Sequence, residues 1–260
     1  DGAIRLADFR AHMPDHRYIF SPTRDLWPAS SIDARLPWPD GEDGKKVKPS
    51  KWLDTHRPVE QMTWAPGEDQ LIEGKLLHTG GWVPHPGVTV FNLYRPPTMS
   101  HGDPADVGPW LDHVRTVYPG DAGHIIKWLA HRVQRPGEKI NHALVLGGSQ
   151  GIGKDTLLEP AKQAVGPWNC EEVSPAAMLG RFNAFVKSVI LRISEARDLG
   201  DQDRFAFYDH LKSYTAAPPD VLRCDEKNIR EHAVLNVCGV ILTTNHKTSG
   251  IYLPADDRRH

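Results

Sequence analysis

The sequence predicts an α/β fold in which helices cover a central parallel sheet, preceded by a helical segment and a small, irregular β-rich N-terminal module. Three observations predict it. Short continuous apolar runs in "HALVL", "FVKSVILRI" and "VLNVCGVILTT" read as strands buried on both faces. Helical stretches at about 155–165 and 203–214 lie between them, and such alternation builds a sheet with helices on its faces. A glycine loop, "GGSQGIGKDT", follows the first run and opens a helix.

Residues 1–100 hold five of the eight tryptophans (Trp27, Trp38, Trp52, Trp64 and Trp82) and many prolines. "IRLADFRAHM" predicts a short helix. "RYIF", "VEQMTW" and "GVTVFNLY" predict broken strands separated by "PDGEDGKK" and "APGED" turns. The basic–aromatic mixture "KKVKPSKWLDTHR" could stack single-stranded bases, but core residues of a small domain are the favoured reading. Residues 101–138 form the helical segment. In "HIIKWLAHRV", Ile125, Trp128, Leu129 and Val133 recur on one face, and Pro136 with Gly137 closes the helix. Residues 139–260 form the core. Pro160, inside its first helix, predicts a bend or a shift of one turn.

A net charge of −2 excludes a broadly basic surface, so any nucleic-acid contact must come from a few placed cations. Cys170, Cys224 and Cys238 stand at no metal-like or framework spacing, as expected of a reduced, intracellular protein. His124 and His131 could align on a helix, yet no third ligand is nearby, so no structural metal is expected. No run approaches the ~18 apolar residues of a membrane span. Asp1 at one end and the charged "DDRR" before His260 at the other suggest part of a longer polypeptide.

Gly148, Ser149, Gln150, Gly151, Ile152, Gly153 and Lys154 match G-x-x-x-x-G-K in the strand–loop–helix context that the motif requires. Its glycines turn successive N–H groups inward as an anion nest, and the helix aims its positive end at the same place. Lys154 would reach the β- and γ-phosphates of a nucleotide such as ATP. The next position should be Ser or Thr, to bind Mg2+; here it is Asp155, followed by Thr156. Either Thr156 swings in as the ligand or Asp155 supplies a carboxylate; a dead site is the third option.

A nucleotide hydrolase needs a carboxylate to orient or deprotonate water, and Glu195 ends the run "SVILRISEARD". The preceding position, commonly Asp, is Ser194. An exchange follows as the expectation: Asp155 takes over the magnesium-shell work, and Ser194 contributes at most a hydrogen bond to metal-bound water. Asp198 is a weaker candidate for the missing carboxylate, and strand capping is the bland alternative for Glu195. "GVILTTNH" ends a third apolar strand in Asn245, whose amide could hold the attacking water at the sheet edge where ligands bind.

Taken together, "GGSQGIGKDTLL", "VILRISEARD", "HLKSYTAAPPDVLRCDEKNIREHAVLNVCGVILTTNH" and "YLPADDRRH" resemble the ATPase region of phage and plasmid primase–helicases. These are relatives of the poxvirus primase-helicase within helicase superfamily 3. The resemblance covers about residues 105–260. It implies a P-loop, AAA-like core, a hexameric ring around single-stranded or forked DNA, ATP between subunits, a possible upstream primase and a bacterial host cytoplasm. By position it makes Gly148–Lys154 the ATP loop, Glu195 the catalytic acid and Asn245 the sensor. Lys227 falls where the family places a basic pore hairpin, and Arg258 and Arg259 where it places the arginine finger. Asp155 and Ser194 depart from the pattern. A solvated charge run is the plainer reading of Lys227, and surface salt bridging that of the arginines.

The leading expectation is an ATP-driven DNA helicase motor. A P-loop kinase for a small metabolite would explain the loop without needing Glu195, Asn245 or the terminal arginines. A non-hydrolysing ATP-binding module for assembly or DNA loading is the third reading.

Overall fold

The computed structural model describes residues 2–194 and 203–245. The chain divides into two compact units, residues 1–64 with 68–93, and residues 65–67 with 94–260.

In the first unit β1 (Phe9–His12), β2 (Arg17–Phe20) and β3 (Asp25–Pro28) run antiparallel, and β4 (Pro58–Val59) joins β1 in parallel. Helices α1 (Ala29–Arg35) and α2 (Pro49–His56) complete a core of Phe9, Ala11, Tyr18, Ile32, Leu36 and Leu53, with Trp27 and Trp52 packed against it. A second sheet, ordered β5-β7-β6, comprises β5 (Gln61–Thr63), β6 (Leu71–His78) and β7 (Gly81–Asn92). The tryptophans are chiefly packing residues: Trp64 is buried, Lys75 lies 4.5 Å over the Trp82 ring, and Trp38 alone of the five is exposed.

The expected helix over 4–13 is corrected here. Leu6–Asp8 makes one 3-10 turn, and Phe9–His12 is a strand. Phe9 and Ala11 bury alternately while Arg10 is only half-buried, so pairing with β2 outweighs local helical propensity.

The second unit opens with α3 (Gly108–Val117) and α4 (Ala122–Gln134). Ile125, Trp128 and Leu129 are buried as their spacing predicts, but Val133 is exposed. Next come β8 (Leu144–Gly147), α5 (Lys154–Val165), β9 (Cys170–Val173), α6 (Pro175–Met178) and β10 (Ile190–Ile193). They are followed by α7 (Asp203–Thr215), β11 (Val221–Glu226), β12 (Ile229–Leu235) and β13 (Gly239–Thr244). The helix α5 continues through Pro160. The sheet order is β8-β13-β10-β9, every pairing parallel, so the last strand inserts between the first and the third.

Two apolar runs are shorter as strands than their sequences suggest. "FVKSVILRI" begins with a 3-10 turn at Ala184–Val186 before β10. "VLNVCGVILTT" is cut by Asn236, which is buried. Its amide donates to the carbonyls of Ser213 and Pro219 at 2.9 and 2.7 Å, and its Oδ1 accepts from Lys139 at 3.1 Å. A side chain that ties three segments together ends β12 and lets β13 start afresh.

Arg132 of α4 is fully buried. Its Nη1 donates to the Val237 carbonyl at 2.7 Å, and its Nη2 donates to the carbonyls of Arg135 and Glu138. Burial lowers its pKa to about 10, so it remains charged at neutral pH. Arg132→Ala strands these carbonyls and leaves a cavity, and should cost roughly 3 kcal/mol in a urea denaturation curve. Arg132→Lys should recover only part, because an ammonium lacks the planar fork.

Candidate functional site

β8 ends at Gly147, and the chain reverses through Gly148, Gly151 and Gly153 at φ 152°, 81° and 95° before α5 begins. Conformations of this kind are open to glycine and strained for other residues. The loop is also crowded. A Cβ on Gly148 would collide with Ile152 Cδ1, and one on Gly153 would lie 2.5 Å from His113 Cε1. His113 Nε2 sits 2.9 Å from the Gly153 carbonyl, so the proton belongs on that nitrogen. The Tyr118 hydroxyl donates to the Gly147 carbonyl at 3.1 Å. Thus α3 and the segment after it hold both ends of the loop.

Lys154, the first residue of α5, is buried. Its Nζ donates to the carbonyls of Gly148 (2.8 Å) and Ser149 (3.1 Å) and to Asn245 Oδ1 (3.0 Å). Asn245 follows β13, whose insertion beside β8 brings it to the loop. The sequence-predicted loop and Asn245 therefore meet, at the C-terminal edge of the sheet.

They border a cavity of about 600 Å3, also lined by Gln150, Thr156, Ser194 and Thr243. That volume lies within the range of about 300–1,000 Å3 usual for small-molecule sites.

Asp155 has a partner that the sequence did not announce. Its Oδ1 is 2.6 Å from Arg192 Nη2, on β10. Arg192 Nη1 lies 3.7 Å from Glu172 Oε2, and its Nε donates to Thr243 Oγ1 at 3.2 Å. A guanidinium thus lies between two carboxylates on the cavity wall. The one sequence signal for it was an arginine inside an otherwise apolar strand. Glu195, Asp198, Arg258 and Arg259 lie outside the described residues.

Lys227 sits elsewhere in the fold. β11 and β12 form an antiparallel hairpin in which Glu226 faces Ile229, leaving Lys227 and Asn228 as its turn. Asn228 takes φ 64°, a left-handed value that asparagine tolerates. Lys227 is exposed, and no ion pair with a described residue engages it. His124 and His131 do not converge: His124 Nε2 lies 3.1 Å from His142 Nε2, and His131 Nε2 lies 3.2 Å from Glu138 Oε2.

Gly153→Ala should destabilise the chain by about 1–3 kcal/mol, through both the left-handed backbone and the clash with His113. Adding His113→Ala should recover only part of the loss, since it relieves the clash and not the backbone strain; thermal unfolding of both variants measures the split.

Residues 146–259 match the model of a family of unknown function, DUF5906. No curated protein matches the sequence. Among solved structures, the apo structure of the NrS-1 C terminal region (305-718) superposes with a TM-score of 0.68 at 19% identity, covering 94% of this chain and 54% of that one. The A form apo structure of the same region superposes equally well, with 19% identity and coverage of 96% and 57%. The chain therefore spans little more than half the length of the solved structures whose mixed α/β fold it shares.

Proposed function

We propose that residues 139–260 carry a P-loop, AAA-like ATPase core that drives a DNA helicase in a phage or plasmid replication protein. The observation that carries this reading is the convergence of Lys154 and Asn245 beside a glycine loop at the edge of a parallel sheet. The fold shared with the NrS-1 C terminal region supports it further.

In this reading the backbone amides of the loop and Lys154 would hold the triphosphate. The ammonium exchanges neutral carbonyl partners for charged phosphate oxygens, which form stronger, charge-assisted bonds. Asn245, freed from Lys154, positions water at the terminal phosphate. Glu195 takes the proton of that water, and Arg258 or Arg259 of a neighbouring subunit in a ring stabilises the developing charge. Thr156 and Asp155, which line the cavity, would hold a magnesium ion, and that ion would neutralise charge on the phosphates. Lys227, exposed at a hairpin turn, is suited to a DNA phosphate.

One observation favours a second reading, an ATP-binding assembly module that hydrolyses little. Asp155, the replacement for the expected hydroxyl, is tied to Arg192. Turnover measured with and without single-stranded DNA separates the readings. Stimulation by DNA fits the motor, turnover indifferent to DNA fits a small-molecule kinase, and binding without turnover fits the module.

Lys154→Ala should reduce affinity for a non-hydrolysable ATP analogue at least 100-fold by calorimetry, a loss on the order of 3 kcal/mol. Unchanged affinity would remove the loop from nucleotide binding.

Lys227→Ala should weaken DNA binding and DNA-stimulated turnover while leaving ATP affinity intact. Its loss should also lower the slope of log affinity against log salt by about 0.7–0.9 for each phosphate contact removed. An identical slope in parent and variant would take Lys227 off the DNA path.

A further inference from the structure

The hairpin that presents Lys227 contains a second arrangement, independent of the glycine loop. Cys224 and His232 are direct cross-strand partners, and a register shift between Cys224 and Glu226 brings the carboxylate to the same cluster. The three ligand-type atoms lie within 4.8 Å of one another. Cys224 Sγ is 3.7 Å from Glu226 Oε1, and His232 Nε2 is 3.9 Å from the same oxygen. Cys224 and His232 are buried, and Glu226 is largely so.

We infer that Cys224, Glu226 and His232 form a binding site for one divalent transition-metal ion of the zinc type, which clamps the two hairpin strands behind the Lys227 turn.

Geometry is the first support. Bond lengths of about 2.3 Å to sulfur and about 2.0 Å to nitrogen and oxygen give tetrahedral ligand–ligand edges of about 3.3–3.6 Å. The S–O distance of 3.7 Å exceeds its edge by about 0.2 Å and the N–O distance of 3.9 Å exceeds its edge by about 0.6 Å, so a modest side-chain adjustment draws the ligands onto one ion.

The histidine tautomer is the second support. His232 Nδ1 lies 3.3 Å from the Arg230 carbonyl, which can only accept, so Nδ1 carries the proton. In the neutral ring, Nε2 is then the ligand nitrogen, and it lies on the side of Cys224 and Glu226. A metal-binding imidazole is commonly oriented in this way, by donating its other N–H to a carbonyl.

Charge balance is the third. Lys187 Nζ lies 2.6 Å from Glu226 Oε1, and its ammonium neutralises the carboxylate. A divalent ion would displace the thiol proton and the ammonium together. Thiolate and carboxylate then balance its two charges, and the long stem of Lys187 lets its ammonium turn to solvent. Sulfur, nitrogen and oxygen ligands in one set suit zinc better than calcium or magnesium, which take oxygen. Three protein ligands leave the fourth position to water.

The test uses the whole chain, stripped with a chelator and titrated with Co2+ as a spectroscopic probe, then with Zn2+ as competitor. The expected result is one equivalent bound, with a thiolate-to-cobalt absorption band that Zn2+ abolishes. Cys224→Ser should remove the band and weaken binding by more than about 100-fold, beyond the loss typical of an outer-shell partner. Cys170→Ser, on another strand, should change neither. Lys187→Ala provides an arm that does not depend on removing a ligand: it should tighten Co2+ binding, and Zn2+ should raise its Tm. If the cluster is only an ion pair, Lys187→Ala lowers Tm and added Zn2+ restores nothing. Absence of a thiolate band in the parent, or its survival in Cys224→Ser, overturns the site.

Discussion

A buried ammonium is tolerated only when its donors are satisfied, and the candidate site is arranged around that constraint at Lys154. Two of its acceptors are carbonyls of the glycine loop, and the third is the Asn245 amide, 91 residues further along the chain. Asn245 can reach Lys154 only if β13 lies beside β8, which is the insertion seen in the sheet. A backbone bond from Gly148 N to the Thr244 carbonyl, 3.2 Å, joins loop and strand at the same point. Loop conformation, strand order and the placing of Asn245 therefore depend on one another.

The second cation of the cavity has a different role. Arg192 is held by charged partners, Asp155 and Glu172, whereas Lys154 is held by neutral ones. An incoming polyanion gains from Lys154 at the cost of neutral hydrogen bonds, but gains from Arg192 only by competing with carboxylates. Asp155 is highly exposed, so solvent screening makes its ion pair weaker than its 2.6 Å separation suggests. In the proposed function, Arg192 would have to turn towards phosphate before the Asp155 carboxylate could serve a metal ion.

Much of this was legible in the sequence because it rests on local signals. The glycine loop has a fixed spacing, and Asn245 stands where an apolar run ends. The helices α4 and α5 carry a clear period or follow the loop. What was not legible depends on partners distant in the chain. Arg192 inside "VILRI" carries no sign of Asp155, and Cys224 carries no sign of His232, because the hairpin register creates that proximity. The N-terminal strand was misread as a helix for the same reason: the bonds that make Phe9–His12 extended are supplied by Arg17–Phe20. Asn236 was hidden inside an apolar run, yet its three-way bonding divides that run in two.

The hairpin shows how a small two-stranded element keeps a fixed geometry. An isolated two-stranded hairpin is marginal in water, so this one needs attachments beyond its own ladder. Asn183 supplies some of them. Its side-chain amide donates to the Arg223 carbonyl at 2.8 Å, its Oδ1 accepts from Asp225 N at 2.7 Å, and its backbone N–H donates to the Asp225 carbonyl at 3.1 Å. Arg181 pairs with Asp225 and Lys187 with Glu226, both on β11. Those bonds fasten β11 to the segment preceding β10, and the ladder and the Arg223–Glu231 pair join β12 to β11. A metal ion shared by Cys224, Glu226 and His232 would add a further cross-strand tie close to the turn. It would make the position of the Lys227 turn depend on the whole unit rather than on one strand.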